Sequence, residues 1–77
     1  MINLNYVYKM RTDTIYDEDG KAFTVYGIEA ISDSGEILFS FPDIFFDIEK
    51  GKDFVKMCND LEISLIHMPD VVDDALV

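Results

Sequence analysis

The sequence has few of the residues that build common catalytic and metal sites. It contains one cysteine, Cys58, and one histidine, His67, which excludes an internal disulfide, a CxxC motif and a histidine pair for zinc. It also lacks a glycine-rich phosphate loop, a nucleophile elbow and a dinucleotide-binding fingerprint. These absences predict a protein that is not an enzyme and holds no cofactor.

Basic residues are scarce, and none follows Lys56. Six Lys and Arg stand against sixteen Asp and Glu, for a formal net charge of −10. Such a field repels nucleic acid and anionic lipid, so we expect no direct nucleic-acid binding and no membrane binding. A basic protein partner is compatible with this charge. The simpler interpretation is that acidity keeps a small protein in solution.

Long apolar runs are missing as well. No stretch is long enough to span a membrane, and the first ten residues lack the basic and apolar segments of a signal peptide. Together with the single cysteine, this favours a cytoplasmic protein. The 77 residues, 49% of them apolar, predict one small domain over residues 1–77. A core of this size contributes only about 3–5 kcal/mol of net stability, so self-association is one expected source of more.

The first half of the chain has the alternating pattern of β-strands. We predict strands at about 2–11, 21–32 and 36–41, separated by turns at Gly20 and Gly35. In the second strand the apolar residues change phase at Gly27, which indicates a bulge or sharp twist. Pro42 is expected to end the third strand.

The second half has the three- and four-residue spacing of amphipathic helices, predicted at about 52–62 and 69–76. Asp47 or Gly51 begins the first of them. The expected fold is α+β: a three-stranded antiparallel meander followed by two short helices packed on one face. Two such helices leave the other face open, yet apolar residues occur on both. We expect part of this surplus, including Phe45 and Phe46, to meet a protein partner or a second copy in a homodimer; core filling is the alternative.

Two local patterns invite a chemical interpretation and fail it. The turn that ends in Gly20 is rich in acids, but a calcium loop built on it would need ligands where Ile15 and Tyr26 stand. Cys58 and His67 suggest a nucleophilic dyad, but Cys58 lies on the apolar stripe of the first helix. We therefore predict a hairpin turn and a buried structural thiol.

The closing segment from His67 to Val77 is the remaining candidate for chemistry. Asp70 and Asp74 are four residues apart and share a helical face, so His67, Asp70 and Asp74 form a weak candidate for metal or acid–base chemistry. Pro69 argues against this site, because the residue before proline, Met68, is expected to be extended and to separate His67 from the helix. Asp73 and Asp74 are then expected to be solvated or to face a basic partner.

Three short stretches occur together at residues 26–29 (YGIE), 47–48 (DI) and 67–74 (HMPDVVDD). In order and spacing they resemble a family of small, uncharacterised acidic domains from clostridia and related Firmicutes. The resemblance covers the chain from about Phe23 onward, and it departs from the family pattern at Glu49, where the family has serine. It implies a bacterial cytosolic protein without an assigned activity.

Three functional hypotheses follow from the sequence. The leading one is a non-enzymatic protein-interaction or regulatory module. The second is an acidic decoy that occupies a basic nucleic-acid-binding site on another protein, as anti-restriction and anti-CRISPR proteins do. The third is the metal site at His67, Asp70 and Asp74. We predict the interaction residues to be Phe45, Phe46, Asp73 and Asp74.

Overall fold

The computed structural model describes residues 5–76 of the chain. The strands are β1 (Tyr6–Tyr16), β2 (Ala22–Ser32) and β3 (Ile37–Phe45). Helix α1 (Ile48–Asp60), a single 3-10 turn (Leu65–His67) and helix α2 (Met68–Leu76) follow. The strands form one antiparallel sheet in the order β1-β2-β3, which confirms the predicted α+β class. Residues 2–4 of the predicted first strand lie outside the described residues.

The core lies between the helices and one face of the sheet. Tyr8 of β1 pairs with Ala30 of β2, and Met10 pairs with Ile28, so these side chains share a face. Phe54, Cys58, Met68 and Val72 of the helices complete the buried cluster. The predicted helical stripes therefore form because both helices bury an apolar side against the same surface.

Both predicted turns are confirmed, and each depends on a glycine. Gly20 and Gly35 have φ of 81° and 87°, a left-handed conformation that side chains disfavour. In the first turn the Asp17 carboxylate accepts hydrogen bonds from the N–H groups of Asp19 and Lys21, at 2.9 and 2.8 Å. The acids of this turn thus stabilise a hairpin, as predicted.

The predicted irregularity at Gly27 is confirmed. Val25 and Ile28 are both fully buried although their spacing puts them on opposite faces of β2. The pairing of β2 with β3 changes register between Tyr26 and Ile28. A Cβ placed on Gly27 would lie 2.0 Å from the Phe41 carbonyl oxygen, so the backbone of β3 passes directly against this position.

Two strand ends differ from the prediction. β1 continues past residue 11 to Tyr16, because its partner β2 supplies an uninterrupted register along the whole hairpin. β3 continues through Pro42 to Phe45. Proline removes one N–H donor, but β3 is an outer strand and Pro42 lies within its irregular stretch, where no pairing bond is needed from it.

Both helices start before their predicted ranges, although Asp47, one of the two residues predicted to begin the first helix, is confirmed as its cap. α1 begins at Ile48 and ends at Asp60, earlier than the predicted 52–62, because the Asp47 carboxylate caps it by accepting from Glu49 N–H at 2.9 Å. The expectation that Met68 is extended is wrong. Met68 is helical (φ −59°, ψ −39°) and fully buried, and its place in the core offsets the steric preference imposed by Pro69.

Candidate interaction surfaces

The three residues considered for a metal site are not assembled into one. His67 ends the 3-10 turn and is exposed, Asp70 lies in the first turn of α2 as predicted, and Asp74 lies one turn further along. Across residues 5–76, no group of three or more histidine, cysteine, aspartate or glutamate side chains is placed to hold a metal ion. We therefore carry the metal hypothesis no further.

The thiol of Cys58 is also in the wrong environment for nucleophilic chemistry. Cys58 is fully buried in the core cluster, and burial raises its pKa to about 11. The thiol is therefore protonated near neutral pH, and the reactive thiolate is scarce. Cys58 packs as a core residue, as its position on the apolar stripe predicts.

We expect the protein to lose stability at alkaline pH because of this thiol. The ordinary pKa of about 9 applies in the unfolded chain, against about 11 in the folded chain. The Cys58 contribution is then complete below pH 9 and declines between pH 9 and 11, by roughly 1–3 kcal/mol. Burial, together with the neighbouring Tyr6, raises the pKa of Tyr8 and acts in the same direction.

Urea unfolding at several pH values, with wild type and Cys58→Ala side by side, measures this effect. The alanine variant is less stable at pH 8 but should lose less stability on going to pH 10.5. Parallel pH profiles for the two proteins would show that Cys58 does not cause the decline.

A cluster of hydrogen bonds fastens the end of α1 to β1. The Asn59 amide binds the backbone of Tyr8 twice: Oδ1 accepts from Tyr8 N–H and Nδ2 donates to Tyr8 C=O, both at 2.9 Å. The Tyr8 hydroxyl donates to the Ile63 carbonyl at 2.5 Å, and the Tyr6 hydroxyl accepts from Leu65 N–H at 3.1 Å. Asn59 therefore binds the backbone N–H and C=O of Tyr8 that a neighbouring strand would otherwise bind. The outer edge of β1 is thus not available for strand pairing at Tyr8.

The first candidate surface is an apolar groove between the helices, which we call the helical groove. It has a volume of about 460 Å³ and is lined by Phe54, Met57, Ile63, Val71, Asp74 and Ala75. Ile63 reaches the groove because Glu62, which follows the end of α1, is left-handed (φ 50°), and Ile63 N–H then donates back to the Cys58 carbonyl. Met57 is 40% exposed, so part of the apolar lining is in contact with solvent.

Acidic side chains lie at this groove and beside it. Asp74 lines it directly, and Asp70, four residues earlier, lies next to Asp74 on the surface of α2. On α1, Asp53 and Asp60 line a neighbouring depression that shares Met57 with the groove. The one base in that depression, Lys56, forms a salt bridge with Asp60 at 2.5 Å. The rim is therefore negative over a floor that is apolar.

The second candidate surface is the sheet face away from the core. A polar stripe crosses its middle: Arg11 binds Asp13 through Nε and Nη2 at 2.6 and 2.7 Å, and Arg11 Nη1 donates to Ser40 Oγ at 2.5 Å. The bonded guanidinium lowers the pKa of the Asp13 carboxyl. This stripe ties β1 to β3 across β2 and separates the apolar residues at the two ends of the open face.

A smaller apolar depression lies near the end of the β1–β2 hairpin. It has a volume of about 210 Å³ and is lined by Ile15, Tyr16, Asp17, Phe23 and Phe46. Phe46 is 71% exposed, whereas Phe45 packs edge to face against Phe54, with ring centroids 5.5 Å apart. The predicted interaction residues are therefore divided: Phe45 is partly buried against the core, Phe46 lies at the hairpin, and Asp73 and Asp74 lie on α2.

The sequence pattern does not predict that Met57 lines the helical groove and is partly exposed there. Met57 belongs to the apolar stripe of α1, a spacing that predicts a core position for it. Its position at the outer margin of that stripe, between Lys56 and Cys58, is the only signal that it lines a groove instead.

Fold and surfaces together define a small α+β domain with one sheet face covered by two helices and one face open. The model of the family of unknown function DUF6514 matches residues 1–77, so the chain belongs to that family. The match covers the whole chain and not only the part from Phe23 onward. No curated protein and no solved structure matches the chain. Within residues 5–76, none of the helices combines the length and the apolar character needed to cross a membrane.

Proposed function

We propose that this protein is a non-enzymatic interaction module of the bacterial cytosol, and that it binds a basic amphipathic helix of another protein in the helical groove. The observation that carries the proposal is the combination of an apolar floor with an acidic rim. An amphipathic helix with lysines or arginines beside its apolar stripe is complementary to both features.

The groove has the dimensions and the polarity that such a ligand requires. Its volume of about 460 Å³ accommodates a few large apolar side chains, and five of its six lining residues are apolar. The rim aspartates provide attraction at long range and select against acidic partners. Apolar burial provides affinity that salt does not remove. The two contributions can be separated experimentally.

Fluorescence anisotropy with three labelled peptides of about 18 residues, five helical turns, tests the proposal. The first is a leucine–lysine helix with one apolar face. The second has glutamate in place of lysine, and the third has the composition of the first in a scrambled order without an apolar face. We expect only the first to bind, and we expect binding to persist in part at high salt. Equal binding of the first and third peptides would contradict a groove ligand.

Met57→Asp tests the floor of the groove. A carboxylate among Phe54, Ile63 and Val71 must lose its hydration when the apolar face of the peptide covers it, and we expect the dissociation constant to rise by roughly tenfold or more. Leu38→Asp is the matched control, since Leu38 is exposed to a similar degree (43% against 40%) and does not line the groove. Circular dichroism verifies that both variants fold.

Neutralising the rim distinguishes this proposal from the acidic decoy. The double variant Asp70→Asn/Asp74→Asn should weaken binding, whereas Asp19→Asn/Asp33→Asn, which changes the net charge equally at two exposed turns, should not. A decoy acts through its overall charge. Equal effects of both double variants, with no effect of Met57→Asp, would therefore support the decoy and exclude the groove.

A further inference from the structure

The outer edge of β1 carries unpaired backbone groups beyond the point where Asn59 closes it. In an antiparallel pair, residues alternate between directing their backbone groups toward the neighbouring strand and away from it. Asn5 accepts from Asp33 and Asp17 donates to Lys21, so odd-numbered residues of β1 face β2. Tyr8, an even-numbered residue, directs its N–H and C=O to Asn59 on the outside.

The same direction applies to the residues that follow Tyr8. The register of β1 with β2 runs from Tyr6 to Tyr16 without a shift, so the alternation is unbroken. Met10, Thr12 and Thr14 therefore point their N–H and C=O groups outward. Within residues 5–76, neither the backbone nor the side-chain hydrogen bonds outside the sheet ladder involve these groups. A free edge without proline or bulge is a template for another strand.

The side chains along this edge are complementary to a second copy of themselves. Arg11 and Asp13 lie on the open face, on either side of Thr12, and each side chain is about one-third exposed. Lys9 lies on the same face, so residues 9–13 carry two bases and one acid. The net charge of this segment is therefore slightly positive, whereas the whole chain has a net charge of −10.

We propose that two copies of this chain pair antiparallel through the free edge of β1, with Thr12 opposite Thr12, to form a continuous six-stranded sheet. Directly opposed residues on paired strands point to the same face. Arg11 of each copy is then opposite Asp13 of the other. Met10 and Thr14 form the flanking hydrogen-bonded pairs, so three pairs provide six backbone bonds.

Charge, together with the two hydrogen bonds from Asn59 to the Tyr8 backbone, favours this register over the two adjacent registers. Shifting the centre of the pairing to Asp13 places the two Asp13 carboxylates opposite each other. Shifting it to Arg11 places the two guanidinium groups opposite each other and requires Thr14 to pair with Tyr8, whose backbone groups are already bound by Asn59. With Thr12 at the centre, Tyr8 is opposite Tyr16 at the end of the strand, where the ladder can stop.

Exchange of the two charges tests the pairing. Arg11→Asp and Asp13→Arg each place like charges opposite each other, and analytical ultracentrifugation should show dimer dissociation constants raised by roughly tenfold or more. An equimolar mixture of the two variants should recover the dimer, now as a heterodimer. The double variant Arg11→Asp/Asp13→Arg keeps both the internal pair and the complementarity, and it should dimerise as the wild type does.

Two further variants test whether the dimer forms through this edge or through another surface. Thr12→Pro removes an outward N–H without removing a bond to β2, and it should abolish dimerisation while circular dichroism stays unchanged. Met57→Asp, in the helical groove, should dimerise normally, so failure of the peptide proposal leaves this one standing. A wild type that remains monomeric up to millimolar concentration would overturn the proposal. A dimer that Arg11→Asp, Asp13→Arg and Thr12→Pro all retain would overturn it too.

Discussion

The substitution Gly27→Ala should leave most molecules of this protein unfolded. The added Cβ would lie 2.0 Å from the Phe41 carbonyl oxygen and 2.5 Å from the Pro42 carbonyl carbon. Both are backbone atoms, so β3 would have to move away from β2. Ordinary overpacking costs about 1–3 kcal/mol, and displacing a strand costs more, whereas the whole domain has roughly 3–5 kcal/mol of net stability.

Urea titration followed by circular dichroism measures this loss, with Gly20→Ala as the control. Gly20 has φ of 81° and nothing near its would-be Cβ, so its substitution adds conformational strain without a clash. We expect a loss of about 1–2 kcal/mol there. If the two variants were equally stable, the close passage of β3 would not be what requires glycine at position 27.

The second large effect is expected from Asn59→Ala. This substitution leaves the N–H and C=O of Tyr8 without the partners that Asn59 supplies, and Tyr8 is only 2% exposed. The free energy of unfolding should fall by about 2–4 kcal/mol, since each unpaired buried group costs about 1–3 kcal/mol. Amide exchange at Tyr8 should accelerate more than exchange at Ala30.

Asn59→Asp separates the hydrogen bonds from the packing of the side chain. The carboxylate still accepts from Tyr8 N–H, but it repels the Tyr8 carbonyl at neutral pH. Protonation restores a donor, so the stability difference from wild type should narrow at acidic pH. Lys56→Ala, which breaks only an exposed salt bridge, should leave the stability nearly unchanged. A difference that does not depend on pH would assign the effect to packing.

The elements whose pattern is local could be predicted. Alternation identified the three strands, the glycines identified both turns, and the apolar stripes identified both helices with the correct order and fold class. The phase change at Gly27 even indicated the irregularity that allows β3 to pass. These features follow from side-chain periodicity and backbone sterics, which a sequence displays directly.

Apart from the start of α1, which the local Asp47 cap sets, the errors come from the surroundings that the tertiary structure provides. Pro42 is a strand breaker in isolation, yet as part of an irregular outer strand it has no pairing bond to lose. Met68 precedes proline, yet its burial in the core keeps it helical. β1 was predicted too short because the pattern weakens after Arg11, while its partner β2 continues to support it as far as Tyr16.

The candidate surfaces likewise combine features that the sequence determines with features that only the tertiary structure determines. The sequence by itself determined the acidic charge, the lack of catalytic and metal constellations, and the surplus of apolar side chains, because composition and spacing fix these. Only the tertiary structure decided where the surplus lies. In this structure Phe45 packs against the core and Phe46 is exposed. Asp74 lies beside an apolar groove, and Asn59 binds the edge of β1 at Tyr8 while the next part of that edge stays unpaired. Such placements depend on which residues meet across 50 or more positions, and short-range periodicity carries no record of them.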